Sequence, residues 1–230
     1  MNYDLHIHSG LSPCAEDEMS PNNIVRMAKL NQLDLIAVCD HNSLKQQAIL
    51  AHVAKMAHLN YLYGLELQSI EEVHILAYFK HQDECQKMQA WLQSVQSDQV
   101  NKPEYFGNQN LYGIEDEIIG YEEVALIHSL NANLDECITV IHQNHGKAVL
   151  AHIYDRRNGI IEQLGFIPSQ LNIDGIELNQ VKDIERFKLE YPQYSELPCF
   201  INSDAHRLSE IKECAYPIST SEYEAFWRSS

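Results

Sequence analysis

Six short apolar runs recur along the chain and end in polar residues: DLIAVCD (34–40), NYLYGLEL (60–67), VHILAYF (73–79), KAVLAHI (147–153), IDGIEL (173–178) and LPCFINSD (197–204). Apolar runs of this length, β-branched in part, predict strands buried on both faces. A further short run leads into DLHIHS (4–9) and predicts a first strand. Between most of these runs the apolar spacing becomes helical. SPNNIVRMAKLNQ (20–32) offers Ser20 as an N-cap and Pro21 at the first helical position, and SLKQQAILAHVAKMAHL (43–59) continues the pattern. Strand followed by helix, repeated, predicts parallel strands joined by crossover helices in a single α/β domain over residues 1–230.

Residues 82–135 break the repeat. A polar, Gln-rich helix candidate runs there into NKPEYFGNQNLYGIEDEIIGYEE (101–123), punctuated by Gly and Asn. This segment is expected to be an insertion on the barrel or a lid over it.

Composition narrows the partners. The formal net charge is −17, with 16 Lys and Arg against 33 Asp and Glu, and phosphate-backbone binding needs clustered basic residues, so nucleic acid is not the expected partner. A small anionic substrate remains open, because a bound metal reverses the local field. Residues 1–20 hold no basic segment followed by an apolar one, and nowhere do 18 apolar residues run together. Neither export nor a membrane span is expected, which points to the cytoplasm. Cys14, Cys39, Cys85, Cys137, Cys199 and Cys214 form no CxxC pair, so they read as buried or incidental thiols in a reducing compartment.

In parallel α/β folds the loops beyond the strand C-termini build the active site. Those ends carry metal-binding residue types here: His6 and His8, Asp40 and His41, Glu66, His152, then Asp204 and His206. His74 falls near the start of its run and fits less neatly. Strand alternation aims His6 and His8 to one side, where both imidazoles can reach an ion at about 2.0–2.1 Å. Mixed imidazoles and carboxylates suit zinc, manganese or iron, and without nearby thiolates a structural cysteine site is not expected.

Taken in order, DLHIHSGLS, AVCDHNS, GLEL, VHILAYF, AHI and NSDAH resemble the PHP (polymerase and histidinol phosphatase) family of metal-dependent phosphoesterases, across nearly the whole chain. The resemblance implies a distorted (β/α)7, TIM-like barrel with two or three divalent ions (Zn, Mn or Fe) at its C-terminal face. It implies as ligands His6, His8, an acid from the next loop, His41, Glu66 bridging two ions, His74, His152, Asp204 and His206. The family's usual SDG after HxH is replaced by SPCAEDEMSP (12–21), so Glu16, Asp17 and Glu18 compete for the loop position, with Glu18 favoured over Glu16. The common proline after His152 is replaced by IYD.

The implied reaction is hydrolysis of a small phosphorylated metabolite or nucleotide by a metal-bridging hydroxide attacking phosphorus. Asp40, beside His41, is a candidate for orienting an imidazole. Arg207 first, then Arg156, are candidates for binding the phosphate, with Arg157 beside them. The alternatives are an exonuclease-like phosphodiesterase, an amide- or lactone-cleaving relative, and a non-catalytic metal-stabilised binding module.

Overall fold

The computed structural model describes residues 1–228. Every apolar run yields a strand: β1 (Tyr3–Ile7), β2 (Leu35–Val38), β3 (Asn60–Gln68), β4 (His74–Phe79), then, after the short hairpin of β5 (Asn110–Tyr112) and β6 (Ile118–Tyr121), β7 (Lys147–Leu150), β8 (Gly175–Glu177) and β9 (Cys199–Phe200). The helices are α1 (Pro21–Leu30), α2 (Gln47–Met56), α3 (Gln82–Val95), α4 (Pro103–Phe106), α5 (Leu134–Gln143), α6 (Ile160–Leu164), α7 (Asp183–Glu190) and α8 (Thr220–Arg228). Pro21 opens α1 as expected, but the Ser20 hydroxyl makes no capping bond.

Seven strands form one curled sheet in the order β1-β2-β3-β4-β7-β8-β9. Past β9 the chain turns back to β1, where the His8 N–H donates to the Ala205 carbonyl at 2.9 Å and Ile7 pairs with Ala205. The α/β class and the seven-stranded, barrel-like sheet agree with expectation. The all-parallel arrangement does not: β4 runs antiparallel to both β3 and β7. The cause lies in the connection. Only five residues separate β3 from β4, which suffices for a hairpin but not for a crossover helix. Gln68, the last residue of β3, therefore faces His74, the first of β4, and His74 is brought to the end of the sheet where the parallel strands finish.

The register of β1 against β2 slips between Asp4 and Ile7. Leu5 packs with interior residues such as Phe200, whereas Ile7 packs with Ile24 and Val25 of α1. Such a slip re-aims side chains, here next to the DLHIHS histidines. Within residues 82–135, α3 behaves as an ordinary covering helix, with Cys85, Met88 and Leu92 buried against Ile75 and Phe79 of β4. The β5–β6 hairpin forms its own two-stranded sheet and is tied back by Gln46, whose side chain accepts from the Tyr112 N–H and donates to the Tyr112 carbonyl.

One buried ion pair stands apart from the strand ends that hold the histidines. Asp174 accepts from Lys147 Nζ at 2.8 Å, His142 Nε2 at 2.8 Å and the Ala148 N–H at 2.9 Å, and the Lys147 side chain is only 4% exposed. Burial would push the Asp174 carboxyl up, but the bonds from His142 and Lys147 outweigh it and hold it below the usual range. Its contribution to stability is thus complete above the unfolded pKa of about 4 and is lost as pH falls through the folded one. Asp174→Asn is expected to destabilise the fold by about 3 kcal/mol, because a buried ammonium loses its countercharge. That corresponds to a Tm lower by roughly 6–12 °C at neutral pH, read by thermal unfolding. A wild-type Tm would show that the pair contributes nothing.

Candidate metal centre

The histidines and acids from separate strand ends meet at one end of the sheet. β1 supplies His6, with His8 just beyond it, and His41 follows β2 in a bridge to Glu66 of β3. His74 opens β4, His152 lies past β7, and Asp204 and His206 lie past β9. His6, His8, His41, Glu66, His74 and His152 are all buried, with Glu66 at 1% exposure. Two of these turns require an uncommon backbone: His152 has φ 25° and Asp204 φ 52°, both on the left-handed side.

Glu66 is the hub. Its Oε1 lies 2.8 Å from His74 Nδ1, 3.2 Å from His152 Nε2 and 3.4 Å from His6 Nε2. Its Oε2 lies 3.0 Å from His41 Nδ1 and 3.4 Å from His8 Nε2. Asp204 Oδ1 approaches from the far side, 3.5 Å from His6 Nε2 and 3.3 Å from His8 Nε2.

The far nitrogens of His6, His8, His74 and His206 are engaged, which sets their tautomers. His6 Nδ1 faces both oxygens of Glu177 at 3.0 Å, and Glu177 is held by the Asn202 amide at 2.7 Å and the His152 N–H at 2.8 Å. His8 Nδ1 donates to Ser12 Oγ at 3.0 Å, and that hydroxyl donates to Asp40 Oδ1 at 2.7 Å. Asp40 also accepts from the Ser9 N–H at 2.8 Å and Ser9 Oγ at 2.7 Å, so it orients His8 through Ser12. His206 Nδ1 donates to the Asp204 carbonyl at 2.8 Å, and His74 Nε2 to Gln68 Oε1 at 3.3 Å. In the neutral form of each ring the remaining nitrogen carries the lone pair. Imidazoles fixed in this way are preorganised to ligate a cation.

Three features fit divalent ions. His41 Nδ1, His74 Nδ1, His152 Nδ1 and Glu66 Oε2 are buried without a hydrogen-bond partner, although His41 Nδ1 and Glu66 Oε2 are 3.0 Å apart. Nitrogen and oxygen atoms about 3.3 Å apart suit the edges of a tetrahedron around an ion with bonds of about 2.0–2.1 Å. Three groups of donor atoms each lie within 4.8 Å of one another: His8, His41 and His206; His6, His8 and Glu66; and His41, Glu66 and His74. The charges agree: burial would pull His6 and His41 down, but Glu177, Asp204 and Glu66 around His6, and Cys14 and Glu66 around His41, hold both well above an ordinary imidazole. Without metal, protons answer the buried acids, and a bound cation must displace them.

The loop acids are not brought in. Glu16 Oε1 pairs with Arg207 Nε at 3.1 Å, Asp17 accepts from the amides of Asn108 and Asn110, and Glu18 is exposed and belongs to none of the donor groups among the described residues. Two side chains from this loop stand beside the imidazoles: Ser12, bonded to His8 Nδ1, and Cys14, which lines the cleft with His41 and His206. Burial pushes its thiol up, but His41 and His206 outweigh burial and bring it down to about 6. Spacing in the sequence leaves Cys14 among the incidental thiols and does not single out Glu177, although Glu177 stands one residue before the end of the IDGIEL run, where an acid near a strand end is a signal. Arg156 Nη2 stands 3.6 Å from Asp204 Oδ2.

A cleft of about 510 Å³ opens over the centre, lined by His41, Glu66, His74 and His152 at its floor and by Phe106, His128, Arg156 and Arg157 among its walls. A second, of about 590 Å³, meets it at Cys14, Arg156, Asp204 and His206 and runs on past Arg207 and Lys212.

A family model for the PHP domain matches residues 4–179. The chain belongs to the PHP family. Its members are metal-dependent hydrolases, phosphoesterases among them, and the His and Glu groups of this chain are suited to that metal dependence. Comparison with curated proteins finds no match. Among solved structures, a putative metal-dependent phosphoesterase from Bifidobacterium adolescentis shares the PHP fold at 15% identity with a TM-score of 0.67, over 97% of this chain and 94% of that one. The lesion-specific endonuclease from Pyrococcus furiosus matches at 17% identity with a TM-score of 0.69, over 100% of this chain and 56% of that one. An endonuclease Q complex with a 27-mer duplex, carrying an abasic lesion at the active site, matches at 16% identity with a TM-score of 0.63, over 100% and 57%. The chain thus spans little more than half the length of these endonucleases.

These likenesses correct one expectation. Net charge argues against nucleic acid as a partner, yet the whole of this PHP fold recurs in proteins that act on DNA. Global charge fails as a criterion because a metal centre sets the field where a phosphate binds, whatever the sum over a distant surface. Among the described residues, no helix is long and apolar enough to cross a membrane.

Proposed function

We propose that this protein is a metal-dependent phosphoesterase that hydrolyses a phosphate ester, with a small phosphorylated metabolite or a nucleotide as its substrate. The observation that carries the reading is Glu66: a buried carboxylate whose two oxygens face different imidazoles, at the floor of an open cleft with Arg156 and Arg157 on its wall. Glu66 and Asp204, with His6, His8, His41, His74, His152 and His206, would hold two or three divalent ions. When bound, such ions supply Lewis acidity, lower the pKa of water toward about 7 and offset charge on the phosphoryl oxygens. Glu177 and the Ser12–Asp40 pair hold His6 and His8 in the ligating tautomer. Arg156 is placed to bind a non-reacting phosphoryl oxygen, and residues 127–129 with Phe106 wall the cleft from the 82–135 segment.

A second reading, a phosphodiester in nucleic acid, is favoured by the two clefts that meet at the centre, since a diester carries a group on each side of phosphorus. The test measures phosphate release from a panel of phosphomonoesters and nucleotides, alongside cleavage of duplex oligonucleotides with and without an abasic site. Protein reconstituted with manganese or zinc is compared with Glu66→Gln. Release from monoesters by the wild type alone supports the first reading; scission of the oligonucleotide alone supports the second. Silence on both, with metal bound, removes both.

Arg156 and Arg207 separate by experiment. Adjacency to His206 ranks Arg207 first, but Arg207 is paired with Glu16 and lines only the second cleft, whereas Arg156 lines both. Arg156→Ala is expected to raise KM about tenfold, the value of one charge-assisted hydrogen bond. Arg207→Ala is expected to change KM less. Steady-state kinetics decides, and equal effects would overturn the order.

A further inference from the structure

The group of His8, His41 and His206 differs from the other two donor groups: all its members are imidazoles, and no carboxylate belongs to it. Their rings crowd together, with centroids of His8 and His206 4.3 Å apart and those of His8 and His41 4.6 Å apart. His41 is 4% exposed, and its Nδ1 is buried without a hydrogen-bond partner. Three neutral rings leave a fourth position on a tetrahedral ion, which a water or an anionic side chain can fill.

The adjoining loop supplies a thiol where the family resemblance implies an acid. Ser12 is pinned by its hydroxyl to Asp40, and the Glu16 N–H donates to the His206 carbonyl at 3.0 Å. Cys14 lies between these two anchors and lines the same cleft as His41 and His206. The acids after it are turned elsewhere, Glu16 to Arg207 and Asp17 to Asn108 and Asn110, while Glu18 is exposed.

We propose that Cys14 is a metal ligand: its thiolate, with His41, His206 and His8, forms a sulfur–nitrogen position that prefers zinc, beside carboxylate-containing positions open to harder ions. The proposal rests on the metal-dependent reading of the centre. Binding is M²⁺ plus Cys–SH giving a metal–thiolate bond and a released proton, with no change of oxidation state. Sulfur and imidazole donors select zinc over manganese, so one protein would hold chemically distinct positions.

Cobalt(II) substitution tests this without reference to turnover. The wild type is expected to show a sulfur-to-cobalt charge-transfer band in the near ultraviolet, absent from Cys14→Ser, which should also bind one ion fewer. Cys14→Asp should restore that ion without the band. In the wild type itself, zinc should protect Cys14 from a thiol reagent; Cys39, Cys85, Cys137 and Cys199 are buried, and Cys14→Ser reports the background from the partly exposed Cys214. Cobalt bound with no such band, and a thiol that reacts equally with and without zinc, would overturn the assignment of Cys14 while leaving the metal centre intact. No ion bound to the wild type would overturn both.

Discussion

Glu66→Gln is expected to lower turnover by roughly 10³-fold, about 4 kcal/mol of transition-state stabilisation, with the fold preserved. The substitution keeps the shape of the side chain and the pairing of β3 with β4 around it. It replaces one carboxylate oxygen by an amide nitrogen, which has no lone pair to give an ion and whose N–H groups meet the imidazole nitrogens of His8 and His41 or of His74, His152 and His6. It also removes a charge. Burial would push Glu66 up, but His74, His6 and His41 outweigh burial and hold it well below the usual carboxylate range, so the wild-type group is anionic throughout the working pH range. Metal content, steady-state turnover at saturating metal and circular dichroism check this together. Wild-type turnover at saturating metal would remove Glu66 from the reaction.

Asp204→Asn is expected to cost roughly 10²-fold in kcat/KM, about 2.7 kcal/mol, and to weaken metal binding, so that raised metal concentration recovers part of the loss. Asn is the informative substitution because Asp204 sits at φ 52°, a conformation that Asn tolerates and most residues resist. The variant therefore isolates charge from backbone strain. Asp204 Oδ1 faces His6 and His8 while Oδ2 stands 3.6 Å from Arg156, so one carboxylate touches both the ion-binding rings and the arginine assigned to phosphate. Burial would push Asp204 up; His6 and His8 outweigh it and hold it well below the usual range. An acid limb in the wild-type pH–rate profile should therefore persist in the variant. Loss of that limb would show that Asp204 itself titrates.

Much of this centre is legible in the amino-acid order. The pairs HxH, DH and DAH each close an apolar run, and buried strands place their ends together, so His6, His8, His41, Asp204 and His206 can be grouped from spacing alone. His74 resists that reasoning because its position depends on strand direction. A start-of-strand residue joins the C-terminal ends only if its strand runs backwards, as β4 does. The likeness to a family places His74 without supplying that reason. The pairing of Arg207 with Glu16, made by loop geometry, is also illegible.

The sequence by itself determined the strand–helix series and the residues that close each strand, because burial imposes a short period that is written locally along the chain. Only the tertiary structure decided which member of SPCAEDEMSP turns toward the imidazoles. That loop has no period to read. Its path is set by contacts to distant residues, from Ser12 to Asp40 and from Glu16 to His206, and these leave Cys14 on the cleft beside His41 and His206 while the acids face elsewhere.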